Sequence, residues 1–230
     1  MSWNPFGTIS SYKEMLAKIA IFTFVSTVAG LGLLSHQIPE VSSFFQQWPV
    51  KIPVEGLELP LFILVSGLVL AIVARIIKLH DRISDILGLR RRFDVAHILS
   101  PMATSVGVTA NESVLKTRRR ELMRAVFYRY TSSWQPVIDA HYVTMAMDQW
   151  SWFWVLVESI PIWVAVGVVL AVYERFVAAG LVGAGLVGAA IILTWSWSMS
   201  IKYAKQQVDE ILSDGQRRQE VKGVLSALSS

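Results

Sequence analysis

An acidic residue and a proline interrupt the apolar stretch WVLVESIPIW at residues 154–163. Carboxylates inside a membrane are rare, and they line ion paths or pair with other polar groups. Counted from Trp152 at about 1.5 Å per residue, Glu158 lies roughly 9 Å inside the apolar layer of a bilayer. Pro161 leaves a backbone carbonyl one turn earlier without its helical hydrogen bond. The pattern indicates either a hydrated path or a buried polar lock centred on Glu158.

Polar partners for Glu158 are expected at similar depth in two other apolar segments. One segment carries hydroxyls at Thr23, Ser26 and Thr27, and Arg75 enters from the inner end of the other. If the carboxyl group is structural, it hydrogen-bonds to these hydroxyls or forms an ion pair with Arg75. If it is functional, the same groups line a polar path through the membrane. The sequence leaves both alternatives open.

The residues that usually carry catalysis or hold metals form no recognisable pattern. The chain has no cysteine, which excludes thiolate nucleophiles and Cys-type metal centres. Its four histidines are isolated and fall in no HExxH motif. No phosphate-binding loop, dinucleotide fingerprint or nucleophile elbow occurs either. We therefore expect a non-enzymatic protein without a metal or a cofactor.

Two arginine runs have the composition of an anion-binding surface. They comprise Arg90, Arg91 and Arg92, and Arg118, Arg119 and Arg120. In one interpretation they attract anionic lipid headgroups, at about 1 kcal/mol per basic residue. In the other, their guanidinium groups hold a cytoplasmic phosphate ligand, such as a nucleotide second messenger, through paired hydrogen bonds. Long nucleic acid is not expected as a partner, because the tryptophans concentrate beside the apolar segments instead of among these arginines.

Composition and patterning place the chain in a membrane. Hydrophobic residues make up 53% of the chain and charged residues 17%, with a mean hydropathy of +0.49. The apolar residues occur in blocks close to the length of about 20 residues that a membrane helix needs. Four spans are predicted, at about residues 19–34, 59–79, 152–173 and 176–197. The predicted fold is an all-α integral membrane four-helix bundle made of two hairpins, with a small helical cytoplasmic domain.

The distribution of basic residues predicts the orientation of these spans. Residues 80–149 contain ten lysines and arginines, whereas residues 35–58 contain only Lys51. Positively charged loops are retained in the cytoplasm, so both termini are expected on the cytoplasmic side. The membrane that fits this pattern best is a bacterial inner membrane. The expected division is an N-terminal cytoplasmic segment at 1–18, a first hairpin at 19–79 with an extracytoplasmic loop at 35–58, a basic helical cytoplasmic domain at 80–149, a second hairpin at 150–198 and a cytoplasmic C-terminal helix at 199–230.

The cytoplasmic domain is predicted from local helix signals. The second span is expected to continue past Lys78 as one helix, and residues 93–110 are interpreted as a turn-containing connection. Asn111 is a candidate N-cap for a helix whose apolar face carries Leu115, Leu122, Val126 and Tyr130. A further helix is expected to start at Pro136 and to lead into the third span.

Small residues in the fourth predicted span favour close helix packing. Their density is highest at Gly180, Gly183, Ala184, Gly185 and Gly188. In membranes such residues allow backbones to approach closely, either within the chain or between copies. We therefore expect membrane lipid and further copies of the chain as partners.

Two functional hypotheses follow from these features. The favoured one is a homo-oligomeric channel or membrane-perturbing effector controlled through the basic cytoplasmic domain, and it requires Glu158 to face a cavity. The alternative is a non-catalytic membrane interaction subunit, of an immunity, exclusion or secretion-apparatus type, that binds a protein partner. This alternative requires only a rigid helix bundle.

Overall fold

The computed structural model describes residues 9, 11–47, 50–54 and 57–229. The remaining positions of the predicted segments 1–18, 35–58 and 199–230 lie outside the described residues. The described chain is almost entirely helical, which confirms the predicted helical class, with one short antiparallel hairpin in addition. In chain order the elements are α1 (Tyr12–Gln37), α2 (Pro39–Gln46), β1 (Lys51–Val54), β2 (Leu57–Pro60), α3 (Leu61–Ile76), α4 (Leu79–Leu87), α5 (Leu89–Asp94), α6 (Ser100–Ser105), α7 (Glu112–Thr117), α8 (Arg119–Met123), α9 (Ala140–Val172), α10 (Phe176–Ser213) and α11 (Gly215–Ser229), with π-helical turns at Val95–Leu99 and Arg124–Tyr128.

The helices form two compact units. Unit 1 comprises the described residues of Met1–Met15, Asp81–Trp150 and Ser196–Ser230. Unit 2 comprises those of Leu16–His80 and Ser151–Trp195. Among the described residues, the three helices α1, α9 and α10 are each long and apolar enough to cross a membrane. The number becomes four if the bent pair α3 and α4 is counted as one span.

The predicted continuation of the second span past Lys78 as one helix is wrong. Helix α3 ends at Ile76, and α4 begins only at Leu79. Lys78 between them has a φ of 51°, a left-handed conformation that a lysine rarely adopts and that cannot continue a right-handed helix. The second apolar segment is therefore a helix of 16 residues followed by a break.

Two further helix boundaries differ from the sequence-based expectation. The predicted turn-containing connection at residues 93–110 is confined to residues 106–110, because α5, a π-helical turn and α6 make the segment helical as far as Ser105. The helix that leads into the third apolar segment starts at Ala140 instead of Pro136. The Asn111 cap is confirmed, since its side-chain oxygen accepts a hydrogen bond from the Ser113 backbone N–H at 2.9 Å.

Unit 1 is built around a helical core. Helices α5 to α8, the two π-helical turns, the end of α10 and α11 all contribute buried side chains to one cluster. The predicted apolar face of residues 115, 122, 126 and 130 is confirmed, because all four side chains are buried there. The Tyr130 hydroxyl, at the edge of this core, donates a 2.8 Å hydrogen bond to the Glu220 carboxylate on α11. The C-terminal helix is thereby fixed to the unit.

Unit 2 combines tight packing between some helices with an uncovered helix. Helix α3 approaches α1 at Gly67, where an added Cβ would lie 2.7 Å from Val28 Cγ2 and 3.1 Å from Phe24 Cδ2. Helix α1 approaches α9 at Gly30 in the same way, with Val166 Cγ2 at 2.7 Å. By contrast, none of the most apolar 18-residue window of α10 is buried. Two of the interfaces in unit 2 therefore depend on glycine.

Gly67→Leu is expected to lower the thermal unfolding midpoint of the detergent-solubilised protein. The larger side chain must displace Val28 and Phe24, and overpacking of this kind costs about 1–3 kcal/mol. Gly32→Leu on α1 is the matched control, because an added Cβ there meets nothing within 4 Å. Equal midpoints for the two variants, measured by circular dichroism, would show that α1 and α3 do not pack as described.

Candidate functional site

Glu158 on α9 is buried inside unit 2, with 4% of its surface exposed. Its Oε2 accepts a hydrogen bond from the Thr23 hydroxyl of α1 at 3.1 Å. Its Oε1 lies 3.6 Å from Nδ1 of His80, which is itself 3% exposed. A buried carboxylate needs such partners because removal from water is costly for a charged group. The three side chains form a polar cluster that we call the Glu158 cluster.

His80, which the sequence analysis did not assign to this site, occupies the place expected for Arg75. Arg75 is exposed, and no ion pair within 4.0 Å joins it to Glu158 in the described part of the chain. Arg75 and Glu158 nevertheless line the same small cavity of about 10 Å³. His80 follows the break at Lys78 by two residues. The sequence contained no signal for that break, because lysine seldom takes the left-handed conformation.

The remaining predicted hydroxyls extend the polar contacts between α1 and α9. Ser26 donates a 3.2 Å hydrogen bond to the Ser159 hydroxyl. Thr27 donates to the backbone carbonyl of Thr23 at 2.8 Å, so this hydroxyl serves its own helix. At the other end, the Lys18 ammonium donates to Ser151 at 3.0 Å. These contacts and the Glu158 cluster form one polar seam along the two helices.

The Glu158 cluster lies beside a very small cavity. The adjacent cavity of about 10 Å³ is close to the smallest space that holds one water molecule. Thr23 also hydrogen-bonds to the Ile19 carbonyl at 3.0 Å, which leaves its single hydroxyl proton shared between two acceptors. The arrangement can orient α1 and the start of α4 against α9. It leaves no room for a row of water molecules beside Glu158.

The predicted packing residues of α10 lie at the surface of unit 2. A Cβ added at Gly180, Gly183, Gly185 or Gly188 would meet nothing within 4 Å, and Ala184 is exposed. Contact between α10 and α9 uses other residues, since an added Cβ at Gly167 would lie 3.3 Å from Val182 Cγ1. The glycine-rich face of α10 is therefore not used for packing within the described chain.

The two arginine runs do not act as two clusters in unit 1. Arg90 pairs with Asp81 at 2.9 Å, and Arg119 pairs with Asp94 at 2.6 Å. Arg118 pairs with Glu121 at 3.1 Å. The other members of the runs are exposed, namely Arg91, Arg92 and Arg120. Arg90, Arg119 and Arg120 line a common cavity together with Arg124, a residue not predicted from the sequence to belong to a site.

Asp94 is a buried acid of unit 1 with a raised pKa. Its side chain is almost fully buried, at 6% exposure. Burial raises the pKa of Asp94 from 3.8 to about 6, although the nearby charges of Arg119 and Arg90 oppose this rise. The described residues contain no group of three or more His, Cys, Asp or Glu side chains that could hold a metal ion. Asp94 and its arginines are therefore interpreted as an ion-pair network.

Acidification is expected to stabilise unit 1 through Asp94. The folded pKa of about 6 lies above the unfolded value of 3.8, so the folded state binds more protons between these pH values. Stability from this group therefore rises as the pH falls through that window, by about 1 kcal/mol from pH 7 to pH 5. Other carboxylates respond to pH as well, so the comparison is with Asp94→Asn. The wild-type melting midpoint should rise relative to that of Asp94→Asn over this range; a constant difference would contradict the raised pKa.

Comparison with known proteins yields one match to a family. No curated protein and no solved structure matches the chain significantly. The profile of the YmfE protein family matches residues 11–222. The match extends over the described helices from α1 to α10 and into α11, and so includes both the Glu158 cluster and the arginines of unit 1. The chain therefore belongs to the YmfE protein family.

Proposed function

We propose that the protein is a non-catalytic, multi-pass membrane protein that acts by binding a protein partner, as immunity, exclusion or secretion-apparatus subunits do. The observation that supports this proposal is the burial of Glu158 beside a very small cavity. A channel requires this carboxylate to face a cavity, whereas the cavity it lines in unit 2 measures about 10 Å³. The Glu158 carboxylate of α9 contacts Thr23 of α1 and His80 of α4, and such contacts between helices suit a rigid binding scaffold.

The proposed topology has four spans in two hairpins. Helix α1 pairs with the bent pair α3 and α4, and α9 pairs with α10 through the short turn at residues 173–175. Both termini and the basic residues of 80–149 are assigned to the cytoplasmic side of a bacterial inner membrane. The support for this assignment is the excess of ten lysines and arginines there over the single Lys51 of residues 35–58.

An exposed aromatic residue of unit 1 is the proposed contact for the partner. Trp134 is 88% exposed and the nearby Val137 is 58% exposed, in the irregular segment that precedes α9. Tryptophan is enriched among the residues that contribute most to protein interfaces. Because the Trp134 indole is exposed, it is available to bind another protein.

A photo-crosslinking amino acid at Trp134 tests the proposal in cells. We expect one discrete adduct whose mass exceeds that of the chain by the mass of a different protein. The matched control is the same label at Lys222, an exposed polar position of unit 1, which should give no such adduct. In parallel, liposomes that contain the purified protein should show no ion flux. A flux that Glu158→Gln alters would contradict the proposal.

The second candidate function is a homo-oligomeric channel or membrane-perturbing effector controlled through the basic residues of unit 1. The observation that favours it is the uncovered glycine face of α10. Gly180 and Gly188 have no neighbour within 4 Å of an added Cβ, and Ala184 lies between them at the four-residue spacing typical of close helix pairs in membranes. In such an assembly, a path would form between copies of the chain.

The double variant Gly180→Leu and Gly188→Leu tests this second candidate. Neither position is packed within the chain, so the melting midpoint of the monomer should stay unchanged. Self-association in detergent, followed by analytical ultracentrifugation, should weaken about tenfold or more if backbones meet at this face. Gly32→Leu serves as control, because Gly32 has equally open surroundings outside α10. A wild-type protein that is monomeric at all concentrations would exclude the oligomeric channel.

A further inference from the structure

Two cavities in unit 1 share lining residues, and we describe them together as one compartment with an apolar and a polar part. The larger part measures about 470 Å³ and is lined mostly by apolar and aromatic side chains, among them Phe93, Met147 and Trp150. The smaller part measures about 320 Å³ and is lined mainly by charged side chains. Arg90 and Asp94 line both parts. Each volume lies within the range of about 300–1,000 Å³ that is usual for ligand pockets.

The charges of the polar part favour an anion. Its lining contains four arginines and three aspartates. Asp81 and Asp94 are already engaged by ion pairs with Arg90 and Arg119. The other two arginines are exposed and have no ion pair within 4.0 Å among the described residues; they are Arg120 and Arg124. Asp85 is the remaining acid of the lining, so a net positive charge is left for a ligand.

The positions of the two arginines suit a single anionic group. Arg120 and Arg124 are four residues apart on consecutive helical turns, which places their side chains next to each other. Guanidinium groups bind phosphate and carboxylate oxygens through paired, charge-assisted hydrogen bonds. An anion held by both arginines would have the apolar part of the compartment directly beyond Arg90 and Asp94.

We infer that unit 1 binds an amphipathic anion, with a phosphate or carboxylate head against Arg120 and Arg124 and an apolar chain in the larger part, which Phe93, Met147 and Trp150 help to line. A free anion such as inorganic phosphate would leave the apolar part empty, and an uncharged chain would leave the arginines without a partner. Two sources can supply this chemistry, namely an anionic membrane lipid and a free single-chain amphiphile. This ligand site is independent of the proposed protein partner.

Calorimetric titration of the full-length protein in nanodiscs of neutral phosphatidylcholine tests the inference. The probe is octyl phosphate, and the heat measured with empty nanodiscs is subtracted. We expect saturable binding that is at least about tenfold tighter than the binding of inorganic phosphate or of octanol. Absence of saturable binding, or equal binding of octyl phosphate and octanol, would overturn the inference. Equal affinity for inorganic phosphate would overturn the assignment of the apolar part.

Variants identify the groups that bind each end of the probe. Arg120→Gln with Arg124→Gln should weaken octyl phosphate binding about tenfold or more, because charge-assisted hydrogen bonds are lost. The matched control is Arg91→Gln with Arg92→Gln, which removes two exposed arginines that line neither part and should change the affinity by less than about twofold. All four positions are exposed, so folding should be retained, and circular dichroism verifies it. Equal affinities for the two double variants would overturn the inference.

A second pair of measurements fixes the apolar end and the source of the ligand. Ala146→Trp inserts an indole into the larger part and should abolish the advantage of octyl phosphate over inorganic phosphate; an unchanged advantage would overturn the assignment. Nanodiscs that also contain phosphatidylglycerol distinguish the sources. Competition with octyl phosphate would support a membrane lipid as the ligand, and lack of competition would support a free amphiphile.

Discussion

Burial of the Glu158 carboxylate is the constraint on which unit 2 depends. A charged or hydrogen-bonding group that is 4% exposed must find partners of its own kind, because lipid and apolar side chains offer none. Thr23 supplies one partner from α1, and His80 supplies another from the start of α4. The position of His80 in turn requires the chain to leave the axis of α3 at Lys78, in a left-handed conformation that costs about 1–2 kcal/mol for a non-glycine residue. The polar contacts of Glu158 and the helix break at Lys78 therefore occur together.

Part of the fold could be predicted because its signals are local. The Asn111 cap, the turn between α9 and α10 and the apolar face of residues 115–130 all follow from short-range patterns. Within residues 93–110, the helical part that ends at Ser105 differs from the predicted connection. Pro101 is tolerated in the first turn of α6, and the buried side chains recur with helical spacing at Val95, Ile98, Leu99 and Met102. That spacing was the signal that could have identified the helix.

The kinds of side chain in the candidate sites could be predicted from the sequence, but not which individual residues contribute them. Hydroxyls were expected near Glu158 and are found there, whereas the basic partner is His80 and not Arg75. The helix break at Lys78 accompanies the contact of His80, instead of Arg75, with Glu158. No local pattern in the sequence predicts this break. The arginines of each run are separated for a geometric reason, since consecutive residues on a helix point about 100° apart. Members of one run therefore face different surroundings, and the pair that shares a surface is Arg120 and Arg124, at helical spacing.

The position of Asp94 would link proton binding to the anion binding that we infer for unit 1. This carboxyl group lines both parts of the compartment, and its pKa of about 6 is close to neutral. A negative charge bound nearby raises that pKa further, since it disfavours the ionised carboxylate. Near neutral pH, an anion that enters the compartment therefore draws a fraction of a proton from the solvent. Occupancy of the compartment would then follow the proton concentration of the surrounding solution as well as the supply of the anion.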